Sequence, residues 1–178
     1  MNAEGIIRLS EPQEQMLQYW LQQCGDDDTL PTRSALKISD VGKHLSWTVI
    51  FEKLSNPLDF RYRLVGTSIT DRTKADFTGK LISNLDGKGP GSQIWNFLEH
   101  IAETKSPDLT TVPYVGPCSR YSHTTLLGLP LAAENDQPSM IVLIADFVIW
   151  SCSHTEEIIE SNNRALRNFI AHIKHAYL

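Results

Sequence analysis

Cysteine is scarce: Cys24, Cys118 and Cys152 are the only three, and no Cys-x-x-Cys pair occurs. An odd number without ligand spacing argues against a disulfide framework or a zinc site and leaves free thiols. Long apolar runs are missing too. The longest, residues 140–145, is stopped by Asp146, well short of the roughly 20 residues that span a bilayer. The first residues, Met1-Asn2-Ala3-Glu4-Gly5, have neither the basic region nor the apolar stretch of a signal peptide, and no Asn-x-Ser/Thr site exists. The expected location is cytoplasmic, without a membrane partner. A basic excess is also lacking, because 21 Asp+Glu stand against 16 Lys+Arg for a net charge of −5. Such a balance supplies no global field to draw in nucleic acid.

Catalytic signatures are equally thin. There is no Gly-x-Ser-x-Gly, no His-Glu-x-x-His, and no Walker or dinucleotide spacing. Gly87-Lys88-Gly89-Pro90-Gly91-Ser92 precedes a helix and has amides that suit an anion, but a flexible loop is the stronger reading. Asp26-Asp27-Asp28 lacks the alternation of a calcium loop and reads as a solvated break. His172 and His175, with Lys174, read as a cationic last helical turn. No catalytic residue and no metal ligand is assigned.

What is present is one core's worth of apolar residues, 41% of 178. Met16, Leu17, Trp20, Leu21 and Cys24 predict a helix over 10–24, with Ser10 and Gln13 as a capping box and Gly25 as its end. Strands are predicted over 45–54 and 60–65, joined by the turn Ser55-Asn56-Pro57. In the second, Phe60, Tyr62 and Leu64 alternate with Arg61 and Arg63. Short helices and loops follow over 68–85, then a helix over 92–104 capped by Ser92. Three more strands are predicted at 110–115, 121–131 and 139–150, with a turn at Asn135-Asp136. The C-terminal stretch has a helical seam of Ile159, Leu166, Ile170, Ile173 and Tyr177. Two strands, a helical crossing and three strands make an α+β fold with an antiparallel sheet and helices on one face. The division is 1–29 as an N-terminal helical flank, 30–150 as the domain and 151–178 as a C-terminal helix.

Arg33, Arg61, Arg63 and Arg120 have two readings: pairing with acids on the helices, or forking onto a ligand carboxylate or phosphate. Tyr62, Trp95, Tyr114 and Tyr121 are core residues or the walls of a pocket.

Three segments, Leu30-Pro31-Thr32-Arg33-Ser34, Phe60-Arg61-Tyr62-Arg63-Leu64-Val65-Gly66-Thr67 and Asp76-Phe77-Thr78-Gly79-Lys80, together resemble a PAS-domain family often called PAS_5 and common in alphaproteobacteria. Leu129-Pro130-Leu131 fits the family's order, and the resemblance spans roughly residues 20–150. The polar Thr70-Asp71-Arg72-Thr73-Lys74 and the long 87–91 loop depart from it.

The resemblance implies a PAS-like five-stranded sheet of order 2-1-5-4-3, curved around short helices and flanked by N- and C-terminal helices. It also implies a stand-alone sensory or regulatory module that binds a small ligand, a signalling protein partner, or both. Arg61, Tyr62, Arg63, Trp95, Tyr114, Tyr121 and His123 are the expected ligand-binding residues. No cofactor is assigned: a haem needs a placed axial His and a photoreactive flavin its Cys motif, and neither is evident. One alternative is a ligand-free interaction module that uses the seam from Ile159 to Tyr177 to dimerise or grip a partner, with a homodimer formed through the terminal helices. Another is a small cone-shaped isomerase or dehydratase, which needs Asp146 or His123 aimed into a cavity.

Overall fold

The computed structural model describes residues 9–25, 29–134 and 139–149. Five strands, β1 (Thr48–Ser55), β2 (Leu58–Val65), β3 (Asp108–Pro113), β4 (Tyr121–Leu131) and β5 (Met140–Ile149), form one antiparallel sheet in the order β2-β1-β5-β4-β3. The helical crossing between β2 and β3 holds α3 (Thr67–Thr73), a 3-10 turn (Ile82–Asn84) and α4 (Gln93–Thr104). Ahead of the sheet lie α1 (Glu11–Gln22), the short α2 (Ile38–Val41) and a 3-10 helix (Gly42–Trp47).

Alternation along the central strands divides the core in two. Ile50, Leu127, Leu129, Val142 and Ile144 pack with Met16, Leu17 and Trp20 of α1. Phe51, Leu126, Ile141, Leu143 and Ala145 face Ile69 of α3 and Phe97, Leu98 and Ile101 of α4. The N-terminal helix closes the face opposite the crossing. Gln13 is 1% exposed and ties α1 down. Its Nε2 donates to the carbonyls of Ile144 at 3.1 Å and Thr125 at 3.3 Å, while its Oε1 accepts from the Ser10 N–H at 3.2 Å. Trp20 Nε1–H donates to the Pro130 carbonyl at 2.8 Å.

Two bulges reset which residues face where. Phe51 pairs with Tyr62 and Ile50 with Leu64, so Arg63 is an extra residue on β2. The strict alternation expected through Leu64 is broken there: Phe60 and Tyr62 join the α4-side core, and Leu64 turns to the α1-side core. On β4, Tyr121 pairs with Ile149 and His123 with Val148, which makes Ser122 the extra residue.

Other boundaries differ locally. The strand expected from residue 45 starts at Thr48, because Leu45–Trp47 continue the 3-10 helix and the Thr48 N–H bonds back to the Leu45 carbonyl. Gly66 is required just here, since a Cβ on it would collide with the carbonyls of Leu45 and Ser46. β3 begins two residues earlier than expected and ends at Pro113. α1 ends at Gln22 with Gln23 in right-handed geometry, so Gly25 is not its left-handed stop. Ser92 caps α4 as expected, its Oγ accepting from the Trp95 N–H at 3.2 Å. The Asp26–Asp28 break, the Asn135-Asp136 turn and the C-terminal helix over 151–178 lie outside the described residues.

Candidate functional site

Among the described residues, the sheet face opposite α1 is only partly covered. Beneath α4 the packing is tight: Leu98 and Ile101 are fully buried, and a Cβ on Gly128 of β4 would collide with Ile101. Beside its N-terminal turn a cavity of about 320 Å³ opens between the sheet and α3. Val49, Phe51, Leu126, Leu143, Ala145 and Phe147 form its floor from β1, β4 and β5. Ile69 and Thr73 of α3, Phe77, Lys88 and Ile94 border it on the helical side, with Tyr114 and Val115 after β3. Volume and apolar lining match a small-molecule site, for which ~300–1,000 Å³ is usual.

Two polar groups on this wall stand out. Tyr62 is buried between Phe51 and Phe77, with ring centroids 4.3 and 5.5 Å away. Its hydroxyl makes no hydrogen bond among the described residues, and burial holds the phenol above its ordinary 10.0. Lys88 reaches over the Phe77 ring with Nζ 4.7 Å from the centroid. It has no ion pair among the described residues, and burial lowers its pKa from the ordinary 10.5.

Of the seven residues expected to bind ligand, Tyr62 and Tyr114 line the cavity. Tyr114 is fixed there by its hydroxyl, which donates to the Arg72 carbonyl at 2.8 Å and accepts from the Cys118 N–H at 3.3 Å. The other five lie elsewhere. Arg61 and Arg63 turn away from the inward Phe60 and Tyr62 and meet Glu52 of β1 at 3.3 and 3.7 Å. Their partner is an acid on the neighbouring strand rather than on a helix. Trp95 stands edge-on to Phe60 at 5.4 Å within the core. Tyr121, returned inward by the bulge at Ser122, packs on Tyr114 and Phe147 at 5.2 and 5.6 Å, with its hydroxyl accepting from Arg120 Nη2 at 2.7 Å. It sits behind the wall rather than on it.

His123 shares the face of Leu127 and Leu129, away from the cavity, with Ser122 Oγ 2.7 Å from Nδ1. Asp146 shares the face of Ile144 and likewise does not line the cavity. The acid–base pair that an isomerase-like reading needs in the pocket is thus on the other side of the sheet. The Gly87–Gly91 segment is a loop, with Gly87 and Gly91 at positive φ, and it carries Lys88 to the cavity. Lys88 stands in the glycine-rich stretch weighed above for its backbone amides rather than for its side chain, and Phe77 in the Asp-Phe-Thr-Gly segment. No group of three or more metal-ligating side chains occurs among the described residues, and no described helix is long and apolar enough to cross a membrane.

An antiparallel sheet of order 2-1-5-4-3, with short helices arching over one face, is the PAS-type fold. The PAS_5 model, a PAS domain, matches residues 8–144, and the chain belongs to that family. A solved structure described as a fungal LOV domain photoreceptor is similar at 11% identity and a TM-score of 0.45, covering 65% of this chain and 94% of that one. No curated protein matches.

Proposed function

We propose that this PAS domain is a sensory module that binds a small apolar molecule in the cavity between α3 and the sheet and passes the binding event to a protein partner. The observation that carries the proposal is the 320 Å³ of space left beside α4, where the rest of the same sheet face is closely packed. Its walls join the sheet to α3 and to the segment bearing Phe77 and Lys88, so an occupant would touch both the strands and the connections over them. A shift of that segment on binding is the physical output, since a ligand shifts only those equilibria in which it contacts the two states differently.

A thermal-shift panel of organic acids, nucleotides and neutral apolar compounds, joined to native mass spectrometry of the full chain, tests it. A true ligand at one hundred times its Kd stabilises by about 2.7 kcal/mol. If no compound in the panel shifts the melt and the purified protein carries no bound small molecule, the sensor reading fails.

A further inference from the structure

We infer that the cavity selects a small apolar carboxylate, held with its chain on the sheet floor and its head group at Lys88 and Tyr62. This rests on the ligand-binding reading above and adds the chemical class.

The floor is hydrocarbon and aromatic, which favours an apolar body. The charge at the wall has one sign. Among the described lining residues Lys88 is the one that carries a charge, and its Nζ lies over Phe77; Lys80, off the wall, has its Nζ 5.7 Å from the same ring and interacts electrostatically with Asp76. Neither makes an ion pair among the described residues. Asp76, the acid nearest Phe77 in the chain, is engaged by the Thr78 N–H at 2.9 Å and the Thr78 hydroxyl at 2.7 Å. A partly buried ammonium without a counter-ion favours an anionic occupant.

The donors also bear on which anion. Lys88 and the Tyr62 hydroxyl offer an ammonium and a phenol, which suit the two oxygens of a carboxylate. Among the described residues no arginine lines the cavity to fork onto a phosphate: Arg61 and Arg63 pair with Glu52, and Arg72 stacks over Trp47 at 4.2 Å, off the cavity wall. Size sets the third limit. At roughly 30 Å³ per water-sized group, 320 Å³ holds about ten such groups, the scale of octanoate.

The test is calorimetric titration of the full chain with sodium octanoate, 1-octanol and octylamine, three probes alike in shape and different in charge. Octanoate should bind at least about tenfold tighter than octanol, with octylamine weakest. Lys88→Met should remove the octanoate preference while leaving octanol binding in place, and Lys88→Arg should keep it. Ala145→Ile, which fills the floor, should weaken octanoate and octanol alike.

Equal binding of octanoate and octanol overturns the charge selection and leaves the ligand site standing. Binding that survives Ala145→Ile unchanged places the probes outside this cavity and overturns the inference. If none of the three binds, both the inference and the ligand-binding reading at this size fall together. An unchanged preference in Lys88→Met, with a parent-like melting curve, shows that Lys88 is not the head-group partner.

Discussion

Ala145 sits on the central strand β5, is 4% exposed and lies on the cavity floor between Leu143 and Phe147. Replacing it with isoleucine adds three carbons to a position where a β-branched side chain suits the strand. At about 0.8 kcal/mol per buried methylene, full burial of those carbons contributes up to ~2.4 kcal/mol. Against this stands overpacking, which costs ~1–3 kcal/mol when a core has no room. Here there is room: three groups of roughly 30 Å³ take less than a third of the 320 Å³ cavity. The expected balance is a stabilisation of about 1–2 kcal/mol, together with at least tenfold weaker binding of any ligand the cavity takes. Equilibrium urea unfolding reads the first quantity as a raised midpoint at unchanged slope, and calorimetric titration reads the second. A loss of more than ~1 kcal/mol would show that the space beside α4 is not free. A stabilised variant with undiminished binding would move the ligand site elsewhere.

Gln13→Ala strips the donors from the Ile144 and Thr125 carbonyls and leaves strand acceptors buried without partners; urea unfolding should register a loss of about 1–3 kcal/mol, and a change below ~0.5 kcal/mol would mean that α1 is held by its apolar face alone. Arg61→Ala and Arg63→Ala each remove one of two ion pairs between a solvent-exposed guanidinium and the half-buried Glu52, at a cost of about 1 kcal/mol. Both variants should bind ligand as the parent does, and a tenfold loss in titration would return these arginines to the site. Asp146 is raised above its ordinary 3.8 by burial, against the opposing effects of the Phe147 N–H, His123 and Arg72. The folded state therefore holds this proton more tightly than the unfolded chain, so its contribution is full below the ordinary carboxylate value and is lost as pH rises through the raised native one. Asp146→Asn should accordingly be more stable than the parent near neutral pH, with the gap closing at about pH 3; urea midpoints at the two pH values check this, and a less stable variant at neutral pH contradicts the sign.

The elements and their order were largely legible in the chain. Met16, Leu17 and Trp20 at helical spacing do form one buried stripe of α1, and residues 121–131 form β4 as read. Local patterns reach this far because periodicity reflects which face of an element meets apolar surroundings. The binding residues were less legible. Tyr62 and Tyr114 reach the cavity, but Arg61 and Arg63 were attractive only as a basic pair beside aromatics, and a strand's own sequence does not say which acid its neighbour places opposite. Glu52 acquires that role only from the β1–β2 register.

By itself the sequence determined the fold class, the sheet's strand content and the membership suggested by its three matched segments, because these rest on composition, periodicity and short motifs carried along the chain. The tertiary structure decided which side chains share the hollow. One inserted residue in a ladder reverses the facing of everything beyond it, so the bulges at Arg63 and Ser122 govern where Leu64 and Tyr121 turn. Lys88, in a glycine-rich loop without periodicity, reaches the cavity beside Phe77 because the crossing from β2 to β3 folds back over the sheet. Its significance is a matter of surroundings, an ammonium partly withdrawn from water with no ion pair among the described residues, and surroundings exist only once the chain has folded.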